Sequence, residues 1–537
     1  MTAARLGGLL TFSHQRLSRA SRWGLLPRRA APQRTFSSLQ GLATPARLGG
    51  LLASSLHGAL DRASLWSLLP HLVPPSTVAA LLPQQHAALD DLVAVLRARN
   101  VLAPWTFYSR GFGRVRRGCV DVARELRETS AALAGGSCTL LPRTAQQVEL
   151  APSLDGRDFA HVAEGRFPAP AMTDLLPAQS LEVRFQLITP RAWRPGRPVV
   201  VMLPGTGEHG FLRRRHLLGY PLAQRGIGSV ILEGPFYGAR RDPAQFGSKL
   251  LALANLIVLG RATIQEAVGL VAWLRARTPE EIDAAVAALP RGSSSSSGSS
   301  SGSGSPSPPP PPSAAAWQAA PQHALGSHSP GHAQVLLTGV SMGGLHAAMT
   351  ASMLPPAWDR AGFVSWLGPP SGAGVFTRGA LARACDWRAL TAQASADVCE
   401  DAPGGLEGAL GELGGLLRAD VPMSQLPSAE DAARLGAHWP GLERSALQHA
   451  MGQACRVLRL TDVAQFPPPA RCDASAFYTA AHDRYVPAER SERELWGCVG
   501  QAWQGCAVES LSAGHVSGSL LQVHSYLAAL EGAVGRL

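Results

Sequence analysis

Four short apolar runs constrain the fold of this chain more than any other feature. Val199-Val200-Val201-Met202-Leu203 stops at Pro204-Gly205, and Ser229-Val230-Ile231-Leu232 stops at Glu233-Gly234-Pro235. Val335-Leu336-Leu337-Thr338 stops at Gly339, and Phe363-Val364-Ser365-Trp366-Leu367 stops at Gly368-Pro369. None alternates apolar with polar residues. A strand that is apolar on both faces must be covered on both faces, which is the signature of a parallel sheet between helices. Helical segments are expected between the runs, over 211–224, 247–277 and 342–353. Two later strands are expected at 474–480 and 506–511, and a last helix at 517–534. The pattern predicts an α/β fold with a mostly parallel central sheet and helices on both faces. At 46% apolar residues, the 537-residue chain can fill a large core.

The rest of the chain divides by texture. Leu89, Leu92, Val93 and Leu96 recur at helical spacing, so residues 61–180 are expected to be a helical N-terminal extension. The first half of the core is expected over 181–291. Residues 292–334 open with a Gly/Ser run and then six prolines among Pro306–Pro312, a composition that builds no core and marks a disordered insertion. The core resumes at 335–368. Residues 369–470 carry helical segments and turns, and are expected to be a helical cap inserted over the strand ends. Residues 471–537 complete the core. The longest uncharged apolar stretch, Leu250 to Gly260, is too short to span a bilayer.

Charge is unevenly placed. The net charge is +11, but residues 1–60 hold eight arginines and no acid, leaving +3 for the remainder. A nucleic-acid binder carries its excess on the folded domain, so nucleic acid is not an expected partner. An Arg-rich, Ser-containing, acid-free start suits an organelle transit peptide. Arg34-Thr35-Phe36-Ser37 resembles a mitochondrial presequence cleavage site, with the chloroplast as the alternative organelle. Eight scattered cysteines without a C-x-x-C pair argue against a disulfide framework or a zinc site.

The chemistry centres on Gly339-Val340-Ser341-Met342-Gly343, a G-x-S-x-G turn between an apolar strand and an Ala/Met/Leu-rich helix. That setting lifts a serine above the sheet as a nucleophile. The second match, 298–302, lies in the Gly/Ser run and lacks it. Serine needs a base, expected after the last strand, and an acid between the two in sequence. His515 and Asp483 meet that order, with His482 and His524 as rival bases and Asp473 and Asp462 as rival acids. The oxyanion donors are expected from the backbone of Met342 and of Thr206, in the glycine-containing loop after Val199–Leu203. Arg213, Arg214, Arg215 and Arg240 follow these loops. They read either as solvated helix faces or as a site for an anionic head group such as a phosphate. No metal or cofactor is required.

Together these blocks resemble the alpha/beta-hydrolase-domain-containing protein 18 family, from about Leu89 to the C-terminus. Tyr108-Ser109-Arg110-Gly111-Phe112-Gly113-Arg114 is similar to the family's R-G-W-G-R signature, with Phe112 for Trp. Gly205–His209, Arg213–Arg215, Gly339–Gly344, Asp483–Pro487 and Gly514–Ser517 also carry the likeness. So do Glu233–Arg240, with Gly234 in place of the family's Asn, and Ser371–Thr377, which contains a small insertion. The resemblance implies an α/β-hydrolase with a Ser341–Asp483–His515 triad, a mitochondrial setting and a lipid acyl substrate of the cardiolipin type. Peripheral contact with a membrane would follow. The residues alone reach only ester, thioester or amide hydrolysis. A thioesterase, a small-ester esterase, or a silent scaffold acting as a binding protein stand as alternatives.

Overall fold

A computed structural model of the chain describes residues 83–98, 106–134, 148–153, 156–191, 198–277, 279–287, 289, 334–356, 358, 360–417, 426–486 and 490–537. The expected transit peptide and the Gly/Ser/Pro run lie outside these residues. The described residues begin with helices α1 (Pro83–Ala98) and α2 (Asp121–Ala134), followed by strands β1 (Glu149–Pro152), β2 (Ala160–Pro168) and β3 (Glu182–Pro190). Next come β4 (Val199–Leu203), helical turns over 212–224, β5 (Gly228–Leu232), α3 (Leu253–Arg275) and α4 (Pro279–Ala287). The elbow segment contributes β6 (Val335–Val340), α5 (Met342–Ser352) and β7 (Ala361–Trp366). Between β7 and β8 the described residues include five α-helices: α6 (Gly372–Thr377), α7 (Trp387–Ala396), α8 (Gly405–Leu416), α9 (Ala429–Gly436) and α10 (Arg444–Leu458). The chain closes with β8 (Ala476–Ala480), α11 (Arg490–Ala502), β9 (Ala507–Leu511), α12 (His515–Leu520) and α13 (Val523–Val534).

The nine strands among the described residues form one sheet in the order β1-β2-β3-β5-β4-β6-β7-β8-β9. From β5 to β9 every pairing is parallel, and β1, β2 and β3 join antiparallel at one edge. The uninterrupted apolar runs occupy the middle strands, where successive residues feed opposite layers. Val199, Val201 and Leu203 pack into one core, while Val200 and Met202 pack into the other. The first layer contains α3 and α5; the second contains 217–223 and α13. Each middle strand therefore has no solvent face on which polar residues could alternate.

The N-terminal extension is not all helical. Residues 149–168 form two strands that prolong the sheet, and β2 pairs with β3 over nine positions, from Ala160↔Pro190 to Pro168↔Glu182. Glu164-Gly165-Arg166 interrupts the apolar run and conceals the strand in the sequence. Gly165 is paired across from Phe185, whose ring lies where a Cβ would sit, 2.1 Å away. A glycine under a cross-strand ring is a close-approach site rather than a break.

Helix α3 spans 23 residues and is long and apolar enough to cross a bilayer by length and composition. Most of it, 89% of the window, is buried inside the fold. Its interior charges are paired: Arg261 with Glu125 on α2, and Glu266 with Arg240. It is the core helix of the sheet's first layer. The Tyr108–Arg114 block docks the N-terminal segment onto it. Leu253 N–H and Ala254 N–H donate to Gly111 O and Phe112 O, while Phe112 N–H donates to Gln393 of α7.

Candidate active site

Ser341 follows β6 directly and is the residue before α5. Its φ of 58° and ψ of −122° lie in a region that L-residues rarely adopt. The strain is held by close packing. A Cβ on Gly339 would lie 2.5 Å from the Gly343 carbonyl carbon, and one on Gly343 would lie 2.5 Å from Leu203 O. Gly205 passes within 3.0 Å of Val340 O, measured from a Cβ position. The elbow and the loop after β4 are thus pressed together, backbone on backbone. Ser341, Met342 and Thr206 share one pocket wall as a result.

That pocket encloses about 390 Å³ of space, including its open mouth. Its apolar lining comes from Leu256 on α3, Met342 and Leu345 on α5, and Val375 and Phe376 on α6. His346 and Thr461 are among its polar members. The segment between β7 and β8 therefore supplies part of the wall, through α6 and Thr461. His346 is buried on the elbow helix, and burial lowers its pKa to about 4, so it is a neutral imidazole at physiological pH.

Asp483 and His515 form a buried pair after β8 and β9, two and three strands along the sheet from β6. The His515 Nδ1 to Asp483 Oδ2 distance is 2.7 Å. The other carboxylate oxygen, Oδ1, accepts the N–H groups of Tyr485 and Val486 at 2.7 and 2.8 Å, and so turns the chain after β8. The Tyr485 ring stacks on the imidazole at 4.8 Å. His515 is the first residue of α12 rather than a loop residue. The rivals sit elsewhere: His524 is exposed on α13, Asp473 pairs with Arg471 before β8, and Asp462 is buried beside Arg459. His482 stacks on His86, 5.8 Å away.

Ser341, Asp483 and His515 lie at the same edge of the sheet, after β6, β8 and β9. The strand between, β7, joins them through Trp366. Its carbonyl accepts Ser341 N–H at 2.8 Å, and its indole donates to Gly518 O of α12 at 3.0 Å. The ring also stacks on Tyr526 at 4.6 Å, and Tyr526 OH meets Thr338 Oγ1 of β6 at 2.6 Å. In the sequence Trp366 lies inside an apolar run. A lone indole there looks like core, and its hydrogen bond is visible only in three dimensions. An imidazole whose Nδ1 is held by a carboxylate is oriented to use Nε2 as a base.

Of the four arginines, Arg214, Arg215 and Arg240 are buried and engaged within the fold, which argues against their holding an anionic head group. Arg240 and Glu266 are both fully buried and meet through two hydrogen bonds, at 2.6 and 2.8 Å. Arg240 also donates to Glu233 O and Ser180 O. Arg214 is buried, donates to Met202 O at 2.7 Å and pairs with Glu208 at 3.2 Å. Arg215 is buried against Gln186, and half-buried Arg213 pairs with Glu208 at 3.4 Å. Glu208 in turn accepts Gly205 N–H. Burial opposes its ionisation, but Arg214, Arg213 and that N–H hold its carboxyl below the ordinary range. The basic block braces the Thr206 loop from behind. In sequence such a run looks like exposed charge, because burial is set by elements far along the chain.

The sequence model of the family described as alpha/beta hydrolase domain containing 18 matches residues 105–299 and 322–536, well over half of the chain. Among solved structures, acetyl xylan esterase 1 from Thermoanaerobacterium is 10% identical, covering 79% of this chain and 96% of its own, with a TM-score of 0.36. The α/β-hydrolase GrgF from Penicillium is 14% identical, covering 70% and 98%, with a TM-score of 0.33. A cold-adapted esterase from an Arctic intertidal metagenomic library is 13% identical, covering 72% and 99%, with a TM-score of 0.32. On the family match and the sheet topology, this chain is an α/β-hydrolase and belongs to the alpha/beta hydrolase domain containing 18 family.

Proposed function

We propose that the protein is a serine acyl hydrolase that cleaves a lipid ester through an acyl-enzyme on Ser341. The observation that carries this reading is the common set of strand ends: a strained Ser341 beside a pocket after β6, and a buried Asp483–His515 pair after β8 and β9, joined to it through Trp366. His515 takes the Ser341 proton as the hydroxyl attacks the acyl carbon. Asp483 holds the imidazole and stabilises the imidazolium. The N–H groups of Met342 and Thr206 receive the oxyanion, which collapses to release the alcohol on protonation by His515. Water, activated by the same imidazole, then hydrolyses the acyl-enzyme.

The apolar wall supports a hydrocarbon acyl chain as the bound group. A phospholipid of the cardiolipin type is the proposed substrate, reached by peripheral contact with a membrane. The head group would be recognised outside Arg214, Arg215 and Arg240, which are buried and engaged. A mitochondrial location is proposed on the eight arginines of residues 1–60. Cytosolic fluorescence of residues 1–60 fused to a reporter would overturn it. The activity is tested with a fluorophosphonate probe, whose labelling is expected to be lost in Ser341→Ala. Folded wild-type protein that resists the probe would refute it. Lipid profiling of mitochondria carrying Ser341→Ala tests the substrate, with unchanged phospholipid acyl composition counting against a lipid.

A further inference from the structure

Helix α1 carries two polar residues on its buried stripe. His86, Leu89, Asp90 and Val93 fall at i, i+3, i+4 and i+7, and His86, Asp90 and Val93 are all buried. Asp90 is fully buried, and three backbone N–H groups point at it. Its Oδ2 accepts from Arg484 N–H at 3.0 Å and from His515 N–H at 2.8 Å; its Oδ1 accepts from Val516 N–H at 2.8 Å. Arg484 follows Asp483 directly. One carboxylate oxygen therefore ties the residue after Asp483 to His515 itself. The two loops are already joined at their bases, where Ala481 N–H and His482 N–H donate to Leu511 O and Ala513 O. Asp90 joins them at their tips, where Asp483 and His515 lie.

Two further contacts seat the helix. His86 Nδ1 meets Ser517 Oγ at 2.8 Å, and the His86 ring stacks on His482. Gly514 explains itself by the same approach. Its φ is −94°, which any residue adopts, but a Cβ there would lie 3.0 Å from Asp90 Oδ2 and 3.0 Å from His86 O. The glycine before His515 makes room for α1 rather than for a turn. Burial pushes the Asp90 carboxyl above its ordinary value; the three N–H donors hold it back, and neighbouring Asp483 adds to the rise.

We propose that Asp90 is a positioning residue that sets the Asp483–His515 pair from outside the hydrolase core, making α1 part of the active site. The proposal rests on the catalytic reading of that pair. It also places a working residue ahead of residue 105, where the family match begins.

The test uses the full chain with Asp90→Ala, Asp90→Asn and, one residue along the helix, Asp91→Asn. Among the described residues, Asp91 makes looser surface pairs with Arg383 and Arg484. Two quantities are read: the rate of fluorophosphonate labelling of Ser341 per folded molecule, and amide exchange at 484–486 and 514–518 against 342–352. Asp90→Ala is expected to slow labelling ~10²-fold, the scale of a misplacement of about 1 Å. It should also raise exchange about tenfold at the two turns but not in the elbow helix. Asp90→Asn keeps one acceptor oxygen and should fall between, rescuing part of the rate even if the alanine variant folds poorly. Asp91→Asn should stay within about twofold, as expected for a surface pair. Wild-type labelling by folded Asp90→Ala, or protection lost evenly through the fold at an unchanged rate, would overturn the proposal. If the wild type does not label but the two turns still open in Asp90→Ala, the hydrolase reading fails and the positioning of the pair stands.

Discussion

Replacing Arg240 by Met separates a structural arginine from a ligand-binding one. The side chain donates to both Glu266 carboxylate oxygens, at 2.6 and 2.8 Å, and to the carbonyls of Glu233 and Ser180, at 2.7 and 2.9 Å. Neither Arg240 nor Glu266 has exposed side-chain surface. Removing one partner of a buried pair leaves an uncompensated charge, at a cost of about 3–5 kcal/mol. Each of the two orphaned carbonyls adds about 1 kcal/mol. The sum is a large part of the ~5–15 kcal/mol that holds a typical protein folded. In Arg240→Met/Glu266→Leu both charges are gone, and most of the loss should return, because apolar replacement of a whole buried pair is often neutral. Denaturant unfolding followed by tryptophan fluorescence measures the cycle, with an expected coupling above about 2 kcal/mol.

The cost should also depend on pH. Burial raises the Glu266 carboxyl above its ordinary value, with Arg240 opposing. Without Arg240 the rise is larger. A raised folded-state pKa leaves stability intact below the unfolded-state value and removes it as pH climbs through the folded one. Arg240→Met should therefore be more damaging at about pH 8 than at about pH 5. An unchanged midpoint in Arg240→Met, with selective loss of anionic substrates, would refute the reasoning and return Arg240 to a binding role.

Asp483→Asn should lower kcat by roughly 10³–10⁴ with little change in KM, measured on a chromogenic ester, because the imidazole loses its orienting charge. Gly343→Ala places a Cβ 2.5 Å from Leu203 O and should slow fluorophosphonate labelling ~10²-fold. Gly408→Ala, in α8 with nothing within 4 Å of the added methyl, should leave labelling unchanged and stabilise by about 0.5 kcal/mol. Lowering the His346 pKa from 6.5 to about 4 means the unfolded chain protonates first as pH falls. Stability should drop by roughly 3 kcal/mol across that range, and His346→Gln should flatten this part of the melting-temperature profile.

The middle of the sheet was legible because its strands are buried on both faces, and an unbroken apolar run needs no partner to be recognised. The elbow was legible for a similar reason: Gly339, Ser341 and Gly343 satisfy a local steric demand within five residues. Asp483 and His515 were readable from their order after two late strands. Less visible were β1 and β2; β2, held between β1 and β3, gains from that pairing what Glu164-Gly165-Arg166 lacks in local strand character. The arginines read in sequence either as solvated helix faces or as ligand contacts, because charge in a sequence carries no sign of burial.

Sequence by itself therefore determined the sheet's buried strands, the strained serine turn and the places of Asp483 and His515 after two late strands, all of which follow from local sterics and hydropathy. Only the tertiary structure decided what surrounds them. It turned Arg240 inward onto Glu266, set Arg214 behind the Thr206 loop, and brought Asp90 against Arg484, His515 and Val516 across about four hundred residues of chain. A buried charge is stable only where donors and acceptors from distant segments converge on it. That convergence is a property of packing, and no local pattern along the chain records it.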